Sequence, residues 1–228
     1  SMPLVERTPL DALTTELHGK LMWAAAVEGP DGCLYAPPCN AGRVLRIDPA
    51  TNTAEFIGPE FPDEIWKWAS AALGADGCIY APPCSAGRVL RINCASCTVE
   101  LLGPDFGDTR HKWDCAVVGW DGAIYAPPSN AGQVLRIDPN LGGEVQLIGP
   151  DQLGGISKYC CGVLGPDKCI YSPPNNAGHV LRIDCYSKHV DFVGPDLWSS
   201  GGGCYVSAAL GPDGCIYAPP YSASQVLR

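Results

Sequence analysis

The chain is short of charge, and especially of positive charge. Charged residues are 17% of its 228 positions, with 15 Lys and Arg against 24 Asp and Glu, for a net charge of −9. That balance excludes generic nucleic-acid binding and adhesion to anionic membranes, both of which begin from a basic surface. No apolar run reaches membrane-spanning length, so a soluble protein is expected. No secretory leader is visible, and Ser1-Met2 looks like a cloning remnant. No segment of ten or more residues carries a helical period. Gly-x-Ser-x-Gly, a P-loop and Gly-x-Gly-x-x-Gly are all missing, so no catalytic residue and no cofactor are assigned.

What is plentiful is cysteine. Thirteen is an odd number, so complete pairing within one chain is impossible. The chain is also far longer than small disulfide-stapled domains. Small, buried, reduced thiols are expected, with the cytoplasm favoured over secretion and a monomer over an oligomer. Cys94-Ala-Ser-Cys97 has the spacing of half a zinc site, but no second pair follows, and it reads as a tight turn. The histidines His18, His111, His179 and His189 form no ligand-spaced group, so no metal is expected. Asp114, the one acid within a first strand, reads as ion-paired with a neighbouring lysine rather than as a catalytic acid or base.

The sequence repeats. Tyr35, Tyr80, Tyr125, Tyr171 and Tyr217 are separated by 45, 45, 46 and 46 residues. Each closes an Asp-x-x-x-Tyr unit, each is followed two residues later by Pro-Pro, and each repeat then reaches Val-Leu-Arg. Four short strands per unit are expected: "WAAAV" (23–27) or "WASAAL" (68–73), then "CIYA", "RVLRI", and an alternating fourth such as "VELLG" (99–103). A Gly-x-Asp-Gly turn joins the first two, and the prolines mark the end of the second. This is the pattern of an all-β, five-bladed β-propeller of four-stranded antiparallel blades. The last unit stops at Arg228, after its third strand. Residues 14–19, resembling 98–103, are expected to complete that blade and close the ring, with residues 1–13 as a lead-in to a domain over 14–228.

Small residues in the first strands, such as 24–26 and 69–71, suit a crowded axis. At the mouth of these strands stand Trp23, Trp68, Trp113, Tyr159 and Tyr205, with Lys67, Lys112 and Lys158 preceding three of them. Such a ring would receive a sugar, a planar ligand or an anion. Alternatively, the aromatics wedge between blades and the lysines snorkel to water. The loops entering these strands diverge (60–67, 105–112, 151–158, 196–204), which suits one asymmetric recognition surface. The Pro-Pro-x-Asn/Ser turns, with Asn40, Ser85, Asn130, Asn176 and Ser222, are expected on the opposite face, their side chains shaping the turn rather than binding ligand. Arg46, Arg91, Arg136, Arg182 and Arg228 are expected to pair with carboxylates or carbonyls.

The unit "DGxIYxxPxNAxxVLxIDP" resembles a family of propeller repeats from proteins of unicellular algae, over about residues 14–228. Its turn is similar to that of NHL-type and gluconolactonase-type propellers, which are six-bladed. The latter hold an axial divalent metal on carboxylate and Asn side chains, whereas the axial positions here are mostly Ala, Ser, Cys and Val. Blade number is similar to that of tachylectin-type lectins, without their motifs. The expected function is a non-catalytic recognition or scaffold module for a protein or peptide. A multivalent glycan-binding lectin is the alternative, and a lactonase- or lyase-like enzyme the second.

Overall fold

The computed structural model describes residues 8–10, 20–62, 64–150, 154–197 and 203–228. It is all-β: among these residues there is no α-helix, and a 3-10 turn spans Pro139–Leu141. The repeats give successive antiparallel sheets. The first holds β1 (Thr8–Pro9), β2 (Val27–Glu28), β3 (Leu34–Ala36), β4 (Val44–Asp48) and β5 (Thr53–Ile57). The second is β6 (Ala72–Leu73), β7 (Cys78–Ala81), β8 (Val89–Asn93) and β9 (Thr98–Leu102). The third is β10 (Val117–Val118), β11 (Ile124–Ala126), β12 (Val134–Asp138) and β13 (Glu144–Ile148). The fourth is β14 (Val163–Leu164), β15 (Cys169–Ser172), β16 (Val180–Asp184) and β17 (Val190–Val193). The fifth pairs β18 (Ala209–Leu210) with β19 (Ile216–Tyr217), and a single bridge joins Ala218 to Leu227.

Two expectations change. The first strands are two residues long, not five or six. The preceding backbone bonds elsewhere: Lys67 N–H donates to Cys39 O of the previous blade, and Lys67 O accepts from Cys84 N–H of its own. Groups spent on those turns are lost to the ladder. In addition, the described part of the N-terminal lead-in lies on the first sheet rather than the last. Thr8 pairs with Ala54 and Pro9 with Thr53 at the outer edge, where proline costs no ladder bond. The expected closing strand, residues 14–19, lies outside the described residues.

The second glycine of the Gly-x-Asp-Gly turn supplies a positive φ, a slot that Lys168 fills at φ +70° in the fourth repeat, and the first is set by close contact. Gly77 has φ +76°, and a Cβ on Gly74 would come within 3.0 Å of the Tyr80 ring, Asp76 Oδ1 and Pro139 of the next blade. The aspartate then organises the blade. Asp76 Oδ1 accepts from the Cys78 backbone N–H, while Oδ2 accepts from Tyr80 Oη at 2.8 Å and Arg91 Nη2 at 3.2 Å. Arg91 lies opposite Tyr80 on one side and Glu100 on the other, and also bonds Glu100. The expected Arg–carboxylate pairing therefore holds for Arg46, Arg91, Arg136, Arg182 and Arg228. In the third sheet Gln146 faces the arginine, and Arg136 turns to Asp138 instead.

The tyrosine face of one blade packs on the isoleucine–leucine face of the next. Tyr35, Val44 and Ile57 meet Ile79, Leu90 and Ile92; Tyr80 and Val89 meet Ile124, Leu135 and Ile137; Tyr125 and Val134 meet Ile170, Leu181 and Ile183. All are nearly free of solvent, and full burial of each aliphatic side chain contributes about 1.5–3 kcal/mol. Tyr35 Oη also donates to Cys94 O of the next blade. All thirteen cysteines are free thiols, most of them buried.

Burial acts to raise the pKa of Asp31 and Asp76, but bonds from tyrosine and backbone N–H outweigh it and hold both carboxyls below the usual 3.8. Burial pushes the Tyr35, Tyr80 and Tyr125 phenols far above 10. A carboxyl with a lowered folded pKa contributes stability above about pH 4 that is lost as pH falls through the folded value. A phenol with a raised one contributes below about pH 10 and loses it as pH rises through the folded value. Stability is therefore expected to be flat across neutral pH and to drop at both extremes. Asp76→Asn should cost about 1–3 kcal/mol at pH 7, and the gap to wild type should narrow at pH 3. Urea unfolding at the two pH values measures both, and equal stability at pH 7 would remove the aspartate from its organising role.

Candidate functional site

Strands alternate in direction across a blade, so the turn from strand two to three and the loop from strand four to the next strand one emerge on the same side. The Asn/Ser turns thus lie beside the divergent loops, not on the opposite face as the sequence reading had it. Asn40 Oδ1 accepts from Trp66 N–H and its Nδ2 donates to Lys20 O. Asn130 does the same with Ser157 N–H and Arg110 O, and Asn176 with Gly203 N–H and Ile156 O. Each asparagine stitches its own blade's loop to the next, a structural role, but one that bridges blades where shaping of its own turn was expected.

The eight residues expected at a channel mouth are engaged within the protein. Trp68, Trp113, Tyr159 and Tyr205 are buried, and Trp23 is half-buried. Each of the five donates to the carbonyl twenty residues on, at Arg43, Arg88, Gln133, His179 and Gln225, over 3.0–3.1 Å. Phe61 and Phe106 pack edge-on to Trp68 and Trp113. The aromatics wedge between blades. The lysines neither open into a pocket nor snorkel: Lys67, Lys112 and Lys158 are 1–3% exposed. Lys112 Nζ donates to the carbonyls of Gly107 and Thr109 at 2.8 Å, and Lys158 Nζ to those of Ser129, Ala131 and Gly155 at 2.8–3.0 Å. An ammonium has three donors, and the loop that curls over it offers carbonyls its own backbone cannot pair. Burial pushes the Lys158 ammonium down to about 8.

A cleft of about 630 Å³ opens between the fourth and fifth sheets, walled by Tyr171, Val180, Val193, Ile216 and Leu227. These are blade-packing positions. At Gly58, Gly103 and Gly149 an added Cβ would press on Val99, Val145 and Val190 of the following blade, whereas at Gly194 it would meet no described residue within 4 Å.

One polar cluster was not legible in the sequence. Cys84, in the turn after Pro82-Pro83, meets His111 and Asp114 from the start of the third blade. Asp114 Oδ1 lies 3.1 Å from Cys84 Sγ and 3.1 Å from His111 Nδ1, and the sulfur lies 3.6 Å from that nitrogen. Asp114 is thus engaged by a histidine and a thiol, where a lysine partner was expected. Burial first, then Asp114, pushes the Cys84 thiol far above its usual value. The sequence reading saw no ligand-spaced group because Cys84 and His111 are 27 residues apart and sit in different repeats.

Lys158→Met should destabilise the chain by about 1–3 kcal/mol, because the Ala131 and Gly155 carbonyls lose their Nζ donor and that of Ser129 keeps only the backbone N–H of residue 158. Chemical denaturation checks this, and a neutral result would return the lysine to the list of ligand-binding candidates.

No protein-family model and no curated protein sequence matches the chain. Solved structures do. Virginiamycin B lyase from Staphylococcus aureus superposes with TM-score 0.69 at 14% identity, over 97% of this chain and 69% of that one. A streptogramin B lyase gives 0.66 at 15%, over 97% and 68%. The extracellular domain of a putative hybrid two-component system from B. thetaiotaomicron gives 0.61 at 13%, over 98% and 32%. At such identities the likeness concerns the fold alone, and with the successive four-stranded sheets it makes this chain a β-propeller.

Proposed function

We propose that this β-propeller is a non-catalytic recognition module that holds a protein or peptide on the face formed by the divergent loops and the Asn/Ser turns. The observation behind this reading is the contrast between two layers of that face. The lower layer repeats: buried lysines satisfy loop carbonyls, and asparagines bridge blades. The upper layer does not repeat. Leu21, Ile65 and Ile156 are 51, 47 and 70% exposed, and Trp66 lies half-buried against the His111 ring. Apolar side chains held out on a rigid frame gain when a partner covers them, and such anchors dominate protein interfaces. The net charge of −9 favours a partner with basic as well as apolar side chains. The glycan reading has less behind it, because the repeated asparagine amides that would serve as equal sites are spent on backbone.

Peptides selected on the immobilised chain from a displayed random library should be apolar and basic. They should bind the Ile65→Ser/Ile156→Ser double variant at least tenfold more weakly, and Tyr186→Ser, on the opposite face, unchanged. Selected peptides indifferent to the double variant, or no enrichment at all, would dismiss this face as the binding surface.

A further inference from the structure

The geometry points to a second capacity on this face: Cys84, His111 and Asp114 form a three-ligand site for a zinc-class divalent metal ion. It stands independently of the peptide-binding reading.

The first argument is metric. Zinc bonds sulfur at about 2.3 Å, imidazole nitrogen at about 2.0–2.1 Å and carboxylate oxygen at about 2.0–2.2 Å. At tetrahedral angles these lengths put the three donor atoms about 3.3–3.6 Å from one another. The observed sides of the triangle are 3.1, 3.1 and 3.6 Å. An ion fits with side-chain adjustments of a few tenths of an ångström.

The second is directional. In a nucleophilic Cys–His–Asp relay the imidazole uses both nitrogens, one toward the thiol and one toward the carboxylate. Here the thiol and the carboxylate both sit at Nδ1, and all three donors converge on one point. Convergence is what an ion requires and what a relay cannot use. Thiolate and imidazole together select zinc-like ions over magnesium or calcium. Cys84 as thiolate and Asp114 as carboxylate balance the charge of a divalent ion.

The third argument comes from the repeat. The positions of Cys84, His111 and Asp114 recur at the other junctions as Cys39, Trp66 and Ala69, as Ser129, Ser157 and Cys160, and as Asn175, Gly203 and Val206. All three become ligand types together at one junction only. Random drift at positions 27 and 30 residues apart in sequence has no reason to coincide in space.

The surroundings hold the ligands in place. Cys84 N–H donates to Lys67 O at 2.9 Å, and Cys84 O accepts from Lys112 N–H at 2.8 Å, so the turn is clamped between two loops. The Trp66 ring lies 5.3 Å from that of His111. Such supports orient metal ligands. The Cys84 residue is buried, while the His111 and Asp114 side chains are 38% and 21% exposed. The fourth position therefore falls toward solvent, open to water or to a donor atom of whatever binds the face. Three protein ligands and one open position are the arrangement of reactive rather than structural zinc.

Cobalt(II) titration of the reduced chain tests this, since a cobalt–thiolate bond has its own near-ultraviolet charge-transfer absorption. One equivalent should bind with that absorption, and zinc should displace it. Cys84→Ser should abolish the band, and His111→Gln and Asp114→Asn should each weaken binding at least tenfold. Cys97→Ser and His179→Gln should leave it unchanged, which separates this site from adventitious binding by the other thiols. Zinc should raise the melting temperature of wild type and not of His111→Gln, a change at a partly exposed side chain that the fold should accept. No thiolate band in the folded wild-type chain, or a band that survives all three substitutions, would overturn the site and leave a hydrogen-bonded cluster.

Discussion

A partly exposed carboxylate at one turn governs each blade. The aspartate of Gly-x-Asp-Gly fixes the turn through a backbone N–H, takes the tyrosine hydroxyl from strand two, and takes the arginine from strand three. The arginine reaches strand four, and in the first blade the tyrosine reaches the next sheet. Tyr35, Tyr80, Tyr125 and the Arg46 and Arg136 guanidinium groups are buried and must be paired, and pairing them with the aspartate sets the register of three strands at once. The apolar residues that alternate with them then face the neighbouring blade in the order that interlocks. Burial supplies most of the free energy, but this cluster decides which face each residue takes.

The same demand explains why the most ligand-like residues are structural. A propeller gathers loop ends at its face, and loop ends leave carbonyls without partners. Lys112 and Lys158 spend their ammonium groups on those carbonyls, and the aromatics spend their N–H and O–H groups on the start of strand three. Asn130 is fully spent between two blades. What remains for chemistry is what the repeat does not need: the exposed Ile65 and Ile156, and the meeting of Cys84, His111 and Asp114. Reactivity on this scaffold lies in departures from the consensus, because the consensus is committed to holding the blades together.

Strand content, the hairpin turns, the arginine–carboxylate pairing and the packing of each blade on its neighbours were all legible in the repeat. They follow from short-range rules: alternation with period two, glycine at a positive-φ turn, and proline at a strand end. The length of the first strands was not legible, because the backbone leading into them is shared between the previous blade, at Cys39, and the turn of its own, at Cys84. Nor was the shared side of the turns and loops, which follows from strand direction counted across a whole blade.

The sequence by itself determined that this chain builds the same small sheet again and again, since every instruction for that lies within about 45 residues. Only the tertiary structure decided which side chains meet across blades. Lys158 against the carbonyls of the preceding blade, and Cys84 against His111 and Asp114, are contacts between repeats. No local pattern within a repeat announces these partners, because they are set by how one rigid sheet docks on the next.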